Sequence, residues 1–538
     1  MVEEHSSEIL RFLAEEPRWM KHPFFNWIGR NLWTILLLLT LGLFYGYFLA
    51  HTIDLTTADI GRHIRNGELL FTDPSVLSNN FYSYTEPEFA VTNHHWGSGL
   101  LLYLVWKVAG FSGLQIFFIL LSVATLFVFL LAGKKHAGWG IAGMVTLVAI
   151  PLIAERTEIR PEVFSYLFAG VFFLLLSRFR DQPDAKNARL LWYLPMVMVL
   201  WVNTHILFLL GPLLLGAFVL EGLLVRRETF RHLLFVFGAV ILGTTLNPFG
   251  YRAFLGAVSI FKNYGYRLAE NQPVWFMEKF SSDPNFLIFK ILFLALALSF
   301  ILALYRNWRL VRLSNFCVAV GISVMAWFAI RNLALFGFVA IPLICSNVAI
   351  IFPSLVSRQG LTRIAVAFSV IGLSLSLLFV VPRFFPYWHE FGLGVETGNE
   401  SAVEFLKKQH ITGPIFNNYD IGGYLIFHLF PSERVFVDNR PEAYSVDFFE
   451  KTYIPMQEDE AVWQRELLHY QFNVIMFLHR DMTTWGQKFL ISRIDDKEWA
   501  PVYVDGKIII FLRRLPRNRK VIEEFEIPRT AFAVIPNP

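Results

Sequence analysis

The chain has 538 residues, 55% of them hydrophobic and only 17% charged, and its mean hydropathy is +0.47. That is too apolar for a soluble globular protein, in which about a quarter of residues are charged. The net charge of +4 comes without the clustered basic stripe that nucleic acid requires, so a nucleic-acid partner is not expected. Cys317 and Cys345 both lie in apolar runs, which leaves no disulfide framework for a polar domain.

Residues 1–31 are polar and amphipathic and are expected on the cytoplasmic side. The run 32–51 is too long for a signal-peptide core and lacks a small-residue cleavage site, so it is expected to stay as an anchor. Ten more apolar runs follow, near 113–132, 138–154, 160–178, 190–204, 206–225, 232–247, 287–305, 313–330, 333–352 and 362–382. Each is close to the ~20 residues that cross a bilayer, which makes about eleven spans. GSGLLLYLVWKVAG (97–110) is shorter and fits an interfacial or re-entrant segment; counting it would give twelve or thirteen. With the N-terminus inside and 97–110 not spanning, the inside loops carry sixteen Lys and Arg and the longer outside loops nine. This bias places the first large loop, 52–112, and the C-terminus outside. The membrane part is thus expected over 32–382.

Residues 383–538 change character. Helix-like stretches (SAVEFLKKQ, EAVWQRELLHYQ) alternate with short runs that read as strands (PIF, RVFVD, FNVIMFL, KIIIFLRR). The expected fold class is therefore a polytopic α-helical membrane protein with a C-terminal exterior α/β domain.

Polar clusters interrupt the apolar chain. Written as a helix, DLTTADIGRHIRNGELL (54–70) puts Asp59, Arg62, His63 and Asn66 on one face, and Ile60, Ile64 and Leu69 elsewhere. This is the pattern of an amphipathic helix lying in the interface. Thr56-x-x-Asp59 also matches a capping box, in which Asp59 would only close the helix start. A second cluster, Asn93, His94, His95 and Trp96, opens the 97–110 segment; adjacent histidines do not share a helix face, so this is not metal-ligand spacing. A third set recurs at the outer ends of spans: Glu155, Arg156, Glu158 and Arg160; Asn203, Thr204 and His205; Asn247 and Arg252; Arg331 and Asn332. Ionisable groups at such depth usually face an internal cavity, although Arg252 reads equally well as a side chain snorkelling to the headgroups. Arginines outnumber what Glu155 and Glu158 can pair, so the cavity suits an anion. In the C-terminal part, Asp438, Arg440 and Tyr444 follow the RVFV run, either as a ligand-holding loop or as a structural Asp–Arg pair.

These pieces, in order, resemble the GT-C superfamily of integral membrane glycosyltransferases, and in particular its bacterial-type members. The resemblance rests on DIGRHIRNG (59–67), TNHHWGSGLLLYL (92–104), IRPEVFSYL (159–167), WVNTHILFLLG (201–211), TLNPFGYR (245–252), IRNLALFGFVAIPL (330–343) and NNYDIGGYLIFHLFPSERVFVDNRPEAY (417–444). It implies an enzyme of the cell envelope that moves a sugar from a polyprenyl-phosphate donor, at the exterior face, to a glycan, lipid or protein acceptor. The family's functional carboxylate in the first exterior loop maps onto Asp59 first and Asp54 second. Relatives often carry a tight acidic pair, whereas these two are five residues apart; a divalent cation, Mg²⁺ or Mn²⁺, stays open as cofactor. The chemistry fits. A carboxylate takes the proton of the attacking hydroxyl, and arginine forks meet the leaving phosphate. Asp59 is the expected base. Arg160 and Arg331 lead the expected substrate-binding set, with His63, His94, His205, Arg252, Asp438 and Arg440. Two other readings use the same residues: a transporter or flippase of a lipid-linked precursor, which should show repeats and polar groups at mid-membrane, and a non-catalytic membrane scaffold.

Overall fold

The computed structural model describes residues 23–258, 262–356, 360–377, 391–481 and 483–532. Most of the expected N-terminal segment 1–31, the end of the run 362–382 and the start of the C-terminal part at 383 lie outside the described residues. Helix α1 (Pro23–Leu49) leads into an irregular loop and the short helix α2 (Ile60–Leu69). A 58-residue helical run, α3 (Trp96–Ile153), follows. It is far longer than one crossing needs and is not one rod. Gly110 (φ +63°) and Gly138 (φ +70°) break it, because both adopt left-handed backbone that a side chain would oppose. The three pieces correspond to the segment 97–110 and the runs 113–132 and 138–154.

Helices α4 (Glu162–Asp181), α5 (Ala185–Leu191), α6 (Tyr193–Thr204), α7 (Leu210–Leu224), α8 (Arg227–Gly243) and α9 (Tyr251–Val258) come next. Then come α10 (Pro284–Asn307), α11 (Leu313–Phe328), α12 (Leu333–Ile351) and α13 (Gly360–Leu375). Among the described residues six helices are long and apolar enough to cross a membrane: Trp27–Leu49, Trp96–Ile153, Glu162–Asp181, Ile206–Leu224, Pro284–Leu310 and Ile330–Ile351. The runs 190–204 and 232–247 form α6 and α8, of 12 and 17 residues, shorter than a straight crossing of ~30 Å at 1.5 Å per residue. Helix α12 is the most deeply buried, packed along α3 and α10. At the bundle end away from the first loop, Arg180 is buried and donates to Ser314 Oγ (3.1 Å) and Asn315 Oδ1 (2.7 Å). Glu221 accepts from Ser314 N and Oγ, each at 2.7 Å. These bonds join α4, α7 and α11, since a buried charge must be paired.

The C-terminal part contains α14 (Ser401–Lys408), α15 (Gly422–Leu429), α16 (Glu460–Tyr470), α17 (Thr484–Ile494) and α18 (Arg519–Phe525) around one mixed sheet. Its strands are β1 (Ile415–Asn417), β2 (Val474–Leu478), β3 (Trp499–Val504) and β4 (Ile508–Arg513), in the order β1-β2-β4-β3. β1 and β2 are parallel (Phe416 opposite Ile475); β2/β4 and β3/β4 are antiparallel. Three of the four expected strands form. RVFVD does not: Val435 makes a single bridge to Ser83, and Phe436 N donates to the Asn417 side chain at 2.9 Å. Its apolar pattern reflects burial without a neighbouring strand to pair with. WAPVYV, unremarked in the sequence, is the edge strand β3.

The two parts are tied at several points. α15 lies across α2, where Gly61 has no room for a Cβ against Phe427 (2.8 Å), and Arg65 Nε donates to Phe427 O at 2.9 Å. Lys507 forms ion pairs with Asp54 (2.9 Å) and with Glu396. Gln115 of α3 donates to His51 O and accepts from Gly394 N (2.8 Å), joining the loop after α1 to the chain entering the C-terminal part. On its other side α2 crosses the first piece of α3, backbone to backbone. A Cβ on Gly67 would lie 2.2 Å from Gly99 O. The amphipathic helix and the short segment 97–110 are thus one packed unit.

Candidate active site

Asp59 stands at the start of α2 with helical backbone angles and makes no capping hydrogen bond. The capping box is not formed, because Thr56 N and Oγ1 donate instead to Asp54 Oδ1 at 3.0 and 2.6 Å. The Asp59 carboxylate, 19% exposed, faces a ring of donors from three parts of the chain. Its Oδ1 accepts from Arg62 Nη2 (3.4 Å) and from Asn439 Nδ2, and Arg160 Nη1 stands 3.9 Å from Oδ2. Arg62 Nε also donates to Asn439 Oδ1 at 3.0 Å, so Arg62, Asn439 and Asp59 form a closed triangle.

Asp54 is elsewhere. It is buried, and its oxygens are taken by Thr56, Asn399 Nδ2 (3.1 Å) and Lys507 Nζ (2.9 Å). Burial alone would raise its pKa; the bonds from Thr56 and Lys507 and the Lys507 charge outweigh this and hold the carboxyl below its usual range. Its visible work is to fasten the loop after α1 to the C-terminal part.

Three of the four arginines of the span ends, Arg156, Arg160 and Arg331, do converge, on a residue the sequence did not single out. Glu270, in the loop between α9 and α10, accepts from Arg160 Nη1 (2.9 Å) and Arg156 Nη1 (3.2 Å), and Arg331 Nη1 lies 3.5 Å away. Arg160 Nε donates to Glu158 (2.8 Å), Arg156 pairs with Glu162 (3.3 Å), and Arg331 Nη1 donates to Asn271 Oδ1 (2.9 Å). Burial would raise the Glu270 pKa, but Arg331, Arg160 and Arg156 together hold it far below the carboxylate range. The apparent excess of arginine is therefore balanced at rest by Asp59, Glu158, Glu162 and Glu270. Glu155 faces no such company; burial pushes its carboxyl up to about 8 although Arg156 opposes this.

Three imidazoles line the floor between α2, α3 and α7. The ring centroids of His63 and His95 are 5.6 Å apart, and those of His95 and His205 are 5.1 Å apart. His205 sits in the break between α6 and α7. Trp201 Nε1 donates to Ser165 Oγ at 2.7 Å, and that hydroxyl lies 2.7 Å from His205 Nδ1. Leu207 N also points at Nδ1 (3.4 Å), so Nδ1 accepts and Nε2 carries the proton. Burial first, then the Arg62 charge and His95, drives the His63 imidazole well below its usual value, so it is neutral. His94 is not in this group. It packs on Phe249, with Gly256 against Nε2, and burial pushes it down to about 4. Arg252 is exposed on α9, away from the cluster.

Asp438 and Arg440 are buried and closed on each other. Arg440 donates from Nε and Nη2 to the two carboxylate oxygens, each at 2.7 Å, and Nη2 also donates to Asn80 Oδ1 (3.1 Å). Tyr444 OH donates to Asp438 Oδ2 at 3.1 Å. This pair holds the turn that presents Asn439, the residue between them, to Asp59. On the same wall, Asp420 and Asp481 each lie three residues beyond the ends of the parallel strands β1 and β2. That is the strand end at which α/β sheets hold ligands. Asp481 is satisfied by Asn418 Nδ2 (2.8 Å) and by Thr483 N (2.8 Å) and Oγ1 (2.6 Å). Asp420 is partly exposed and, among the described residues, has neither a hydrogen-bond donor nor a cation as partner.

No ready-made site for a divalent cation is seen among the described residues. The oxygens of Asp59 already face two guanidiniums and an amide, and among the described residues no group of three His, Cys, Asp or Glu side chains is arranged to hold a metal.

No family model matches the chain, and no curated protein matches it. Solved structures do. The oligosaccharyltransferase AglB of Archaeoglobus fulgidus, in complex with an inhibitory peptide and a dolichol-phosphate, superposes with a TM-score of 0.55 at 12% identity, covering 90% of this chain and 74% of that one. The apo form of the A. fulgidus enzyme gives 0.55 at 11% identity, over 88% and 73%. Its complex with Zn and sulfate gives 0.52 at 11%, over 89% and 73%. A membrane bundle and a C-terminal part that superpose together on these structures give this chain the GT-C fold.

Proposed function

We propose that the protein is a glycosyltransferase that takes a sugar from a polyprenyl-phosphate donor and places it on an acceptor hydroxyl at the exterior membrane face. One observation carries the reading: Arg160 and Arg331, from different segments, share the counter-ion Glu270, Arg160 also faces Asp59, and an apolar cavity lies among the helices that follow His205 and Arg331 in the chain. That cavity, about 290 Å³, is lined by Leu210, Leu214, Met325, Leu335 and Val339 between α4, α7, α11 and α12. Of its lining, Leu210 and Leu335 follow His205 and Arg331 closely in sequence, and Met325 O accepts from Asn332 Nδ2 at 2.9 Å. A lipid phosphate would rest on the guanidiniums with its tail in this groove. AglB, with the same fold, is described with a dolichol-phosphate bound. The acceptor oxygen would attack the anomeric carbon opposite the phosphate, in a single inverting displacement. Arg160 and Arg331 would meet the charge of the departing phosphate, and the neutral histidine floor would hydrogen-bond the sugar.

The exterior placement rests on the loop charges. Maleimide labelling of Ser78→Cys and Val446→Cys in intact cells tests it; labelling only after permeabilisation would reverse the orientation. Binding of undecaprenyl phosphate tests the site. Arg160→Ala and Arg331→Ala should each weaken it about tenfold or more. Wild-type binding by both variants would remove the phosphate from this cluster.

A further inference from the structure

Asp59 is the carboxylate a reader of the sequence would choose as the base. Its surroundings suit a different task. Oδ1 already accepts from Arg62 and Asn439, and Oδ2 faces Arg160 at 3.9 Å. A proton arriving there must compete with two guanidiniums and an amide. Its oxygens are taken up by donors and are not free to receive a proton from a hydroxyl, but the group is placed to face the positive charge that develops at an anomeric carbon as its bond to phosphate stretches.

A second carboxylate is close by and unencumbered. Asp420 is held between the loop that carries Glu270 and the turn that carries Asn439. Tyr419, just before it, stacks on Tyr266 with ring centroids 4.2 Å apart, and Tyr266 lies on the loop that carries Glu270. Just after it, α15 begins with two glycines packed against the Asp59 side. A Cβ on Gly422 would meet Asp438 Cα at 2.4 Å, and one on Gly423 would meet Asn439 Nδ2 at 3.3 Å and Ala58 O at 3.5 Å. Asp420 is thus fixed where the C-terminal part closes over α2.

We propose that Asp420 is the catalytic residue that takes the proton from the acceptor hydroxyl, and that Asp59, held by donors on both oxygens, is the electrostatic partner of the anomeric carbon. The proposal rests on the glycosyl-transfer reading above. In the step, the acceptor O–H proton passes to a carboxylate oxygen of Asp420, and the freed oxygen pair forms the bond to C1. The C1–O bond to phosphate breaks, and its pair leaves with the phosphate between Arg160 and Arg331. The groups facing Asp420 agree. They are Asp59 at the head of α2, Asp481 beyond β2, and the tyrosines Tyr266, Tyr419 and Tyr453. No cation is among them. Burial, then Asp481 and Asp59, pushes the Asp420 carboxyl up to about 7, which is where a general base works best near neutral pH. Two carboxyls with opposed environments divide the work of base and charge stabiliser.

The test uses the full-length membrane protein with radiolabelled undecaprenyl-phosphate hexoses and native membranes as acceptor source, followed in single turnover from pH 5 to 9. The wild-type rate should rise with pH through about 7. Asp420→Asn should lower it about 10²–10⁴-fold and abolish the rising limb, while Asp420→Glu keeps a limb. Undecaprenyl phosphate should bind Asp420→Asn within twofold of wild type, and infrared titration should lose a carboxyl band near pH 7 in this variant only. An Asp420→Asn protein that keeps more than a tenth of the rate, or keeps the limb and the band, overturns the assignment. If the wild type neither binds undecaprenyl phosphate nor cleaves any donor, the glycosyl-transfer reading falls, and this one with it. If Asp59→Asn alone removes the limb, Asp59 is the base.

Discussion

Glu270→Gln is the most direct probe of how the cavity is charged. At rest Glu270 holds Arg160, Arg156 and Arg331 at 2.9, 3.2 and 3.5 Å. A lipid phosphate bound as proposed would share those guanidiniums with it, so Glu270 would oppose the ligand whose site it keeps in order. Glutamine retains an oxygen that accepts from Arg160 but removes the negative charge. Through one guanidinium, a bound phosphate would sit about 6 Å from the Glu270 carboxylate. At an effective dielectric constant of about 20, like charges at that distance repel by about 2.8 kcal/mol. Glu270 is 25% exposed, so solvent screening reduces this, and halving it leaves about 1.4 kcal/mol, or about tenfold in affinity. Glu270→Gln should therefore bind undecaprenyl phosphate about tenfold more tightly. It should release product more slowly, and should unfold more easily when empty because its arginines repel. Titration calorimetry in detergent, with thermal unfolding beside it, reads both effects. Weaker phosphate binding at unchanged empty-state stability would refute the argument, because it would show that Glu270 belongs to the phosphate site's attraction rather than its competition.

Gly67→Ala should push α2 away from the first piece of α3, since its Cβ has 2.2 Å to Gly99 O. Overpacking of this kind costs about 1–3 kcal/mol or more, and thermal unfolding and transfer should both suffer; a variant of wild-type stability would deny the close crossing. Arg440→Ala leaves Asp438 buried without its partner, which costs about 3–5 kcal/mol. Stability and activity should fall together, and a loss of acceptor affinity at full stability would instead place Arg440 at the ligand. Asp54 has a depressed carboxyl pKa when folded, so its contribution to stability is present above the ordinary carboxylate pKa and is lost as pH falls through its folded value. Asp54→Asn should thus lower the unfolding temperature at pH 7 by more than at pH 3; an equal drop at both would mean the Lys507 pair contributes little.

Apolar run length gave away the membrane bundle, and the recurrence of Arg160 and Arg331 at span ends was enough to anticipate that they meet. The face Asp59–Arg62–His63 was legible from helical spacing because α2 is a regular helix. Glu270 was not, since a single glutamate in a polar loop looks like any other until three arginines from separate segments surround it. Asn439 was hidden between Asp438 and Arg440, whose charges drew the eye although they close on each other, Asn80 and Tyr444. Asp420 lay inside a quoted motif without a role, because what marks it is the lack of a partner, and only the folded chain can show a lack. RVFVD failed as a strand for a related reason. Its residues are buried and β-prone, but pairing depends on a neighbour that sequence pattern alone does not supply.

The contact between Asn439 and Asp59 spans 380 positions of the chain. During synthesis, every helix of the bundle is made before the amide that completes the carboxylate's surroundings. A nascent protein can thus be fully inserted in the bilayer while its catalytic chamber still lacks a wall. On the proposed function, activity would appear only once the last polar part has docked, and a chain truncated shortly after α13 would be membrane-integrated but inert. On the same reading, an unfinished copy would then be unable to turn over its donor.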